Sequence, residues 1–462
     1  MMLRRRSPFA IATTTLLALA VTTLLPASVA ADETATSMSS AYRPRRLRSV
    51  PSRQLQDAAS LPKVADLCVA ELDWTSEGGE ILVNGQPLHV KGTSYFGFET
   101  PNEVPHGLWS VTRDQIFGFL RNESFNAVRL PFSAALALTP NKKVNANTIE
   151  TELHNLTAIE LIGNIIDKAA EYDILVMLDM HRLNEDFIPE LWYDDKYTMK
   201  DVKQAWDNLL TAFGNRWNLF AIDLKNEPHG KATWGSGNDT TDWNTAAEDL
   251  AKYLYAKHPQ YKGLVFIEGT QLATAEHHKL DTNNKWWGGD LEGVKEFPID
   301  LGSDALNKKV VYSPHVYGPD AFVQPYFSAK NFPKNMPAIW KDQWAFVEKE
   351  TDRAVVVGEW GGHYEKQDKV WQDAFAKFIM DECLEDTFYW CLNPNSGDTG
   401  GLLDYDFLTP KVEKLALLAK IQPNPTFVSA KAPGQYCITP GAYANPKCDK
   451  GRRLQVKAAT TA

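Results

Sequence analysis

From about Leu72 onward, apolar and polar positions fall into a repeating order. Glu80-Ile81-Leu82-Val83, then Asn84-Gly85, then Leu88-His89-Val90-Lys91 reads as a tight β-hairpin, because Asn-Gly supplies the positive φ angles of a two-residue turn. Beyond it, short continuous apolar runs alternate with stretches of helical period. The runs cover residues 90–96, 127–132, 174–180, 219–224, 264–267, 309–312, 354–357 and 387–392. Between most of them lie amphipathic stretches, at 112–120, 157–172, 199–217, 243–257, 370–383 and 411–421. Eight buried-type strands separated by helices predict an α/β fold, the (β/α)8 TIM barrel, preceded by the short hairpin.

A doubly wound open sheet gives a similar string, and the polar residues at the strand ends separate the two. The runs end in Tyr95, Arg129, His181, Asn226-Glu227, Gln271, His315-Val316-Tyr317, Glu359 and Trp390. An open sheet gathers functional groups at one or two switch-point loops. Here nearly every run ends in one, and no Gly-rich phosphate loop follows any run. A closed barrel with a central site at its C-terminal face fits this distribution.

The chain ends differ from the barrel. Residues 1–30 have the pattern of a signal peptide, with Arg4-Arg5-Arg6, an apolar stretch to about Leu25 and Ser28-Val29-Ala30 as the cleavage pattern. The apolar stretch is short for a membrane anchor and no comparable run follows, so no stable membrane insertion is expected after cleavage. Residues 31–70 form a Ser/Thr/Arg-rich linker, expected to be disordered. Within it Arg45-Arg46-Leu47-Arg48 resembles both the motif of host-directed secreted effectors and a basic processing site. The catalytic domain is expected over 71–426 and a Cys-containing tail over 427–462. Sequons at Asn122, Asn155 and Asn238 agree with a secreted, extracellular glycoprotein.

Composition narrows the chemistry. Hydrophobic residues make up 44%, enough for a sizeable core, and the formal net charge is −10. That balance excludes a nucleic-acid partner, which needs a basic face, and suits a neutral ligand. With 14 Trp, 16 Tyr and 21 Phe, many of the Trp in loop-like segments, the chain is equipped either for core packing or for a cleft that stacks sugar rings. Five cysteines are present. Cys437 and Cys448, close together in the tail, are the candidate disulfide; Cys68 is left to pair with Cys383 or with nothing, and Cys391 sits in an apolar run as a buried thiol. No CxxC or Cys/His spacing suggests a zinc site, so neither metal nor organic cofactor is expected.

Glu227 and Glu359 carry the candidate chemistry. Glycoside hydrolysis needs one protonated carboxyl group beside one ionised carboxylate, roughly 5 Å apart in retaining enzymes. Two strand ends far apart in sequence meet that need on a barrel. Glu227 follows a buried strand in Ile222-Asp223-Leu224-Lys225-Asn226-Glu227-Pro228, and Glu359 follows Val355-Val356-Val357-Gly358. A solvated loop acid is the plain alternative for either one alone. The presence of Arg129, His315 and Tyr317 at other strand ends favours the catalytic pair.

Several motifs resemble those of glycoside hydrolase family 5, the cellulase family, and the likeness covers roughly Trp74 to Pro425. They are Lys91-Gly92-Thr93-Ser94-Tyr95-Phe96-Gly97-Phe98-Glu99, Arg129-Leu130-Pro131, Leu178-Asp179-Met180-His181-Arg182, Asn226-Glu227-Pro228, His315-Val316-Tyr317, Gly358-Glu359 and the segment from Phe388 through Trp390 to Gly401. The resemblance is nearest to secreted endo-β-1,4-glucanases. It implies that Glu227 is acid/base and Glu359 nucleophile, that Arg129 and Tyr317 orient Glu359, that His315 assists the acid/base, and that His181 and Asn226 contact the sugar. It further implies Trp390 as a stacking platform with a cis peptide to Cys391. Tyr95, Gln271, Trp192 and Trp287 are further candidate substrate contacts, and Trp109, Trp234 and Trp286 candidate subsite residues. Cys391, His363 and Tyr364 depart from the family pattern without removing a catalytic group. The expected function is double-displacement hydrolysis of β-1,4-glucosidic bonds in cellulose or mixed-linkage β-glucan by a monomer whose partner is the polysaccharide. Alternatives are a mannanase, a β-1,3-glucanase, a glycolipid glycosidase, or a catalytically silent carbohydrate-binding effector.

Overall fold

The computed structural model describes residues 66–272 and 286–448. The expected signal peptide, nearly all of the linker with Arg45-Arg46-Leu47-Arg48, and the end of the tail lie outside the described residues.

Fourteen strands are formed among the described residues: β1 (Leu67–Val69), β2 (Trp74–Glu77), β3 (Glu80–Val83), β4 (Gln86–Pro87), β5 (Lys91–Ser94), β6 (Ala127–Ser133), β7 (Leu175–Arg182), β8 (Leu219–Asp223), β9 (Leu264–Ile267), β10 (Val310–Tyr312), β11 (Val357–Trp360), β12 (Thr387–Tyr389), β13 (Phe427–Ala432) and β14 (Gln435–Thr439). Asn84 and Gly85 turn with φ of 48° and 74° between β3 and β4, as the hairpin signal requires. Strands β5 to β12 form one parallel sheet in the order β10-β9-β8-β7-β6-β5-β12-β11. Parallel bridges Tyr312↔Val355 and His315↔Glu359 join its two edges, giving the predicted barrel.

The helices start where their sequences supply caps. Thr112 and Thr157 cap Arg113–Asn122 and Ala158–Glu171, each closing a reciprocal pair with Gln115 or Glu160. The predicted helix over 199–217 stops at Phe213, where Gly214 and the following turn take over. Strand β11 starts later than the apolar run 354–357. Pairing with β10 already begins at Ala354 and Val356, but the ladder to β12 starts only at Val357 and its register shifts before Trp360.

Residues along each strand face alternately inward and outward. Val176, Leu178, Val265 and Ile267 pack against the helices, whereas Leu175, Met177, Leu264 and Phe266 fill the barrel's lower interior. Continuing the inward series by two residues reaches Arg129, Asp179, Asp223 and Glu268, all fully buried. The barrel is therefore apolar at its N-terminal end and charged at its C-terminal end.

The tail and the end of the predicted linker join the same body. Strands β1, β14 and β13 form an antiparallel sheet, and Val428 and Ile438 belong to the apolar cluster of the lower barrel. The Cys437–Cys448 disulfide expected from the sequence is not formed. Cys437 stands opposite Cys68 in the β1–β14 ladder and is bonded to it, while Cys448 is bonded to Cys383, the left-handed cap of the helix Lys366–Glu382. Strand pairing takes Cys437 to Cys68, and Cys448 is left to meet the helix end at Cys383, so closeness along the chain does not decide the partners. Cys391 is a free, buried thiol as expected.

Candidate active site

A cleft of about 700 Å³ opens at the C-terminal ends of the barrel strands. Glu227 and Glu359 both line it, together with His181, Gln271, Trp286, Trp287, Tyr317 and Trp390. One carboxylate oxygen of Glu227, one of Glu359 and a ring nitrogen of His315 lie within 4.8 Å of one another.

Glu359 reaches this position because the backbone before it is cramped and irregular. A Cβ on Gly358 would lie 2.3 Å from Ser313 Oγ and 3.0 Å from His315 Nε2, so only glycine fits. The inward series on this strand runs through Val356 and Gly358, and the register shift re-aims the next side chain into the cleft. Arg129 donates to Glu359 Oε1, and Tyr317 Oη donates to Oε2 at 2.6 Å. Burial pushes the Glu359 carboxyl up, but the facing charges of His315 and Arg129 with the Tyr317 bond outweigh it and hold it below the ordinary range.

Glu227 has the opposite surroundings. It sits at φ 50°, a left-handed backbone that costs a non-glycine residue on the order of 1 kcal/mol. Its backbone N–H donates to Glu268 Oε2 at 2.7 Å, and its carboxyl Oε1 lies 3.1 Å from His315 Nδ1. Burial raises its carboxyl, and the Glu359 charge adds to that, against the bond from His315. Two carboxyl groups within 4.8 Å of each other are thus pushed in opposite directions by separate causes, as an acid and a nucleophile sharing one site would need.

Arg129 is the cation at the centre. Besides Glu359 it faces Asp179 at 3.1 Å, Asp223 at 3.0 Å and Glu268 at 3.3 Å, and it donates to Asn226 Oδ1 at 2.9 Å. The last bond fixes the Asn226 amide, whose Nδ2 has no partner among the described residues and is left to donate to a ligand. Two sets of metal-type ligand atoms lie close together, Asp223–Glu268–His315 and Glu227–His315–Glu359. In the first, Arg129 already faces both carboxylates, and in the second it faces Glu359. A divalent ion in either set would sit against the guanidinium.

Trp390 lies parallel to the His181 ring, with centroids 5.4 Å apart, and its peptide to Cys391 is cis as expected. Trp287 is 41% exposed and stacks on His229 at 3.7 Å. Gln271 accepts from the Gly230 N–H at 3.1 Å. Two expected substrate contacts stand elsewhere. Tyr95 is turned outward by the β5 pleat into the layer between barrel and helices, and Trp192 packs against Trp243 in the same layer. Trp234 is also buried there, donating to the Phe297 carbonyl, and Trp109 packs on His106 and Phe407 away from the cleft lining.

Sequence reasoning missed Glu268, Asp179 and Asp223. A charged residue inside an apolar run marks Asp179 and Asp223. Glu268 follows Leu264 and Phe266 at the same two-residue step, three positions before the Gln271 taken as the strand's functional end.

Comparison with known proteins agrees with this geometry. The family model described as cellulase, glycosyl hydrolase family 5, matches residues 83–396. An endoglucanase of Paenibacillus polymyxa is 35% identical over 80% of this chain and 92% of its own length. The major extracellular endoglucanase of Xanthomonas campestris pv. campestris is 37% identical over 72% of this chain and 68% of its own. A crystal structure of the endocellulase of Pyrococcus horikoshii in complex with cellotetraose superposes with a TM-score of 0.71 at 36% identity, covering 76% of this chain and 98% of that one.

Proposed function

The chain belongs to the cellulase family, glycosyl hydrolase family 5, and we propose that it is a secreted, monomeric endoglucanase that cleaves β-1,4-glucosidic bonds of cellulose or mixed-linkage β-glucan with retention of configuration. The observation that carries this reading is the pair Glu227 and Glu359, with oxygens within 4.8 Å of each other across an open cleft. Retaining enzymes hold their carboxyl groups about 5 Å apart, whereas inverting ones leave about 6.5–9.5 Å for a water.

In the first step Glu359, ionised, attacks the anomeric carbon while Glu227 gives its proton to the leaving oxygen. In the second, Glu227 takes a proton from a water whose oxygen bonds to the anomeric carbon as the bond to Glu359 breaks, which releases the sugar and restores the Glu359 carboxylate. Arg129 and Tyr317 hold the attacking carboxylate, and the unpaired Asn226 Nδ2 serves the sugar hydroxyl beside the reacting carbon. His181 contacts the same sugar, Trp390 stacks on its face, and Trp286 and Trp287 line the cleft wall beyond it.

Secretion is supported by two disulfides, which persist in oxidising compartments, and by the exposure of Asn122, Asn155 and Asn238. Among the described residues no helix is long and apolar enough to cross a membrane.

The test is reducing-sugar release from barley β-glucan and carboxymethylcellulose by the wild type beside Glu359→Gln, with proton NMR of the first product anomer. Release by the wild type, loss in the variant and a β-anomer first support the reading. Release from mannan alone, or an α-anomer first, overturns it.

A further inference from the structure

Glu268 is wholly buried, ends an interior row of apolar side chains and has no part in the double displacement, yet it touches the Glu227 backbone, His315 and Arg129. Its Oε2 accepts the Glu227 backbone N–H at 2.7 Å, and its Oε1 lies 3.1 Å from His315 Nε2 and 3.3 Å from Arg129. On the far side of the same imidazole, Nδ1 lies 3.1 Å from the Glu227 carboxyl. Glu268 thus meets Glu227 twice, once at its backbone and once through His315. Space is allotted to it as well: a Cβ on Gly288 would lie 2.2 Å from Glu268 Oε2.

We propose that Glu268 is a positioning residue for the acid/base. It clamps the left-handed backbone of Glu227 and keeps a proton on His315 Nε2, so that the orientation and charge of the imidazole facing the Glu227 carboxyl are fixed. The inference rests on the reading of Glu227 as acid/base.

Two considerations support it. A carboxylate beside Nε2 holds a hydrogen on that nitrogen while Nδ1 faces Glu227, and so favours the charged ring over a neutral one that carries its hydrogen on Nδ1 alone. Burial pushes the Glu268 carboxyl up, and the Glu268 and Glu359 charges push His315 up against its own burial, so the pair retains a proton between them. Around this pair stand Arg129 from β6, Asp179 from β7, Asp223 and Lys225 from the β8 end, Glu227, and Glu359 from β11. Of these, only Glu227 and Glu359 face the reacting bond.

Glu268→Gln keeps the size and one acceptor, but it places an amide N–H₂ where Nε2–H needs an acceptor. For glucan, whose leaving group must be protonated, kcat is expected to fall about ten- to a hundredfold with KM little changed, the loss typical of a bond to a charged group. For a dinitrophenyl cellobioside, whose leaving group needs no proton, kcat/KM stays near the wild-type value. Equal losses on both substrates, or no loss on either, overturn the proposal. A second measurement needs no substrate and no change at Glu268: ¹⁵N NMR of the histidine-labelled wild type, with His315 assigned by its absence in His315→Asn. Hydrogen on Nε2 supports the proposal and a bare Nε2 overturns it. Because this signal does not depend on turnover, it separates failure of the Glu268 role from failure of the glucanase reading.

Discussion

The hydroxyl of Tyr317 donates to Glu359 Oε2 at 2.6 Å, from a strand end 42 residues away in sequence. Among the described residues it is one of two hydrogen-bond donors to the Glu359 carboxylate, one at each oxygen, the other being Arg129.

Tyr317→Phe keeps the ring and removes that bond. A hydrogen bond to a charged group contributes about 1.5–3 kcal/mol, so kcat/KM on β-glucan should drop roughly ten- to a hundredfold. The bond stabilises the ionised form of Glu359, so its loss raises that carboxyl and moves the acid limb of the pH profile to higher pH. An unmoved acid limb would contradict the assigned role.

Glu227 is held above the ordinary carboxyl range and Glu359 below it, in each case with burial raising the carboxyl. In the proposed mechanism the active form has Glu227 protonated and Glu359 ionised. Activity should therefore fall as the pH drops through the Glu359 value and fall again as it rises through the Glu227 value. Glu227→Ala should abolish the alkaline limb measured with a dinitrophenyl cellobioside, and should harm glucan far more than that activated substrate. An alkaline limb that survives in the variant would assign it to another group.

Trp390 and Trp287 both line the cleft, Trp390 stacked on His181 and the more exposed Trp287 stacked on His229. Trp390→Ala should lower kcat as well as raise KM. Trp287→Ala, on the exposed wall, should raise KM on long glucans and leave kcat near wild type, the mark of binding that is equal in ground and transition states. Kinetics on cello-oligosaccharides of increasing length would check both.

The Cys383–Cys448 bond closes a loop spanning 65 residues on the side of the barrel where the strands begin. Replacing both cysteines by alanine should cost about 2–4 kcal/mol of stability. A calorimetric scan should show a lower Tm, with activity at 25 °C retained because the cleft lies at the opposite end. Loss of activity with an unchanged Tm would overturn this assignment.

The parallel barrel, its hairpin and the two carboxylates were legible in the sequence because each has a local signature. Apolar runs alternate with capped helices, Asn84-Gly85 demands a tight turn, and Glu227 and Glu359 each follow such a run. Cys437 and Cys448 misled, since strand β14 pairs Cys437 with Cys68 on β1 and the chain beyond it brings Cys448 back to Cys383. Tyr95 and Trp192 misled for a related reason: a strand-end or loop aromatic faces the cleft or the helix layer according to the pleat around it, and the composition is the same for both.

What the sequence by itself determined is the alternation of elements and which residue types stand at the strand ends, because hydrophobic period and turn chemistry act over a few residues. What only the tertiary structure decided is which of those groups meet. Glu268 became the link between the Glu227 backbone, His315 and Arg129 because barrel closure brings the ends of β6, β8, β9 and β10 to one axis. Their protonation followed from that meeting, since burial and facing charges are set by neighbours distant in the chain.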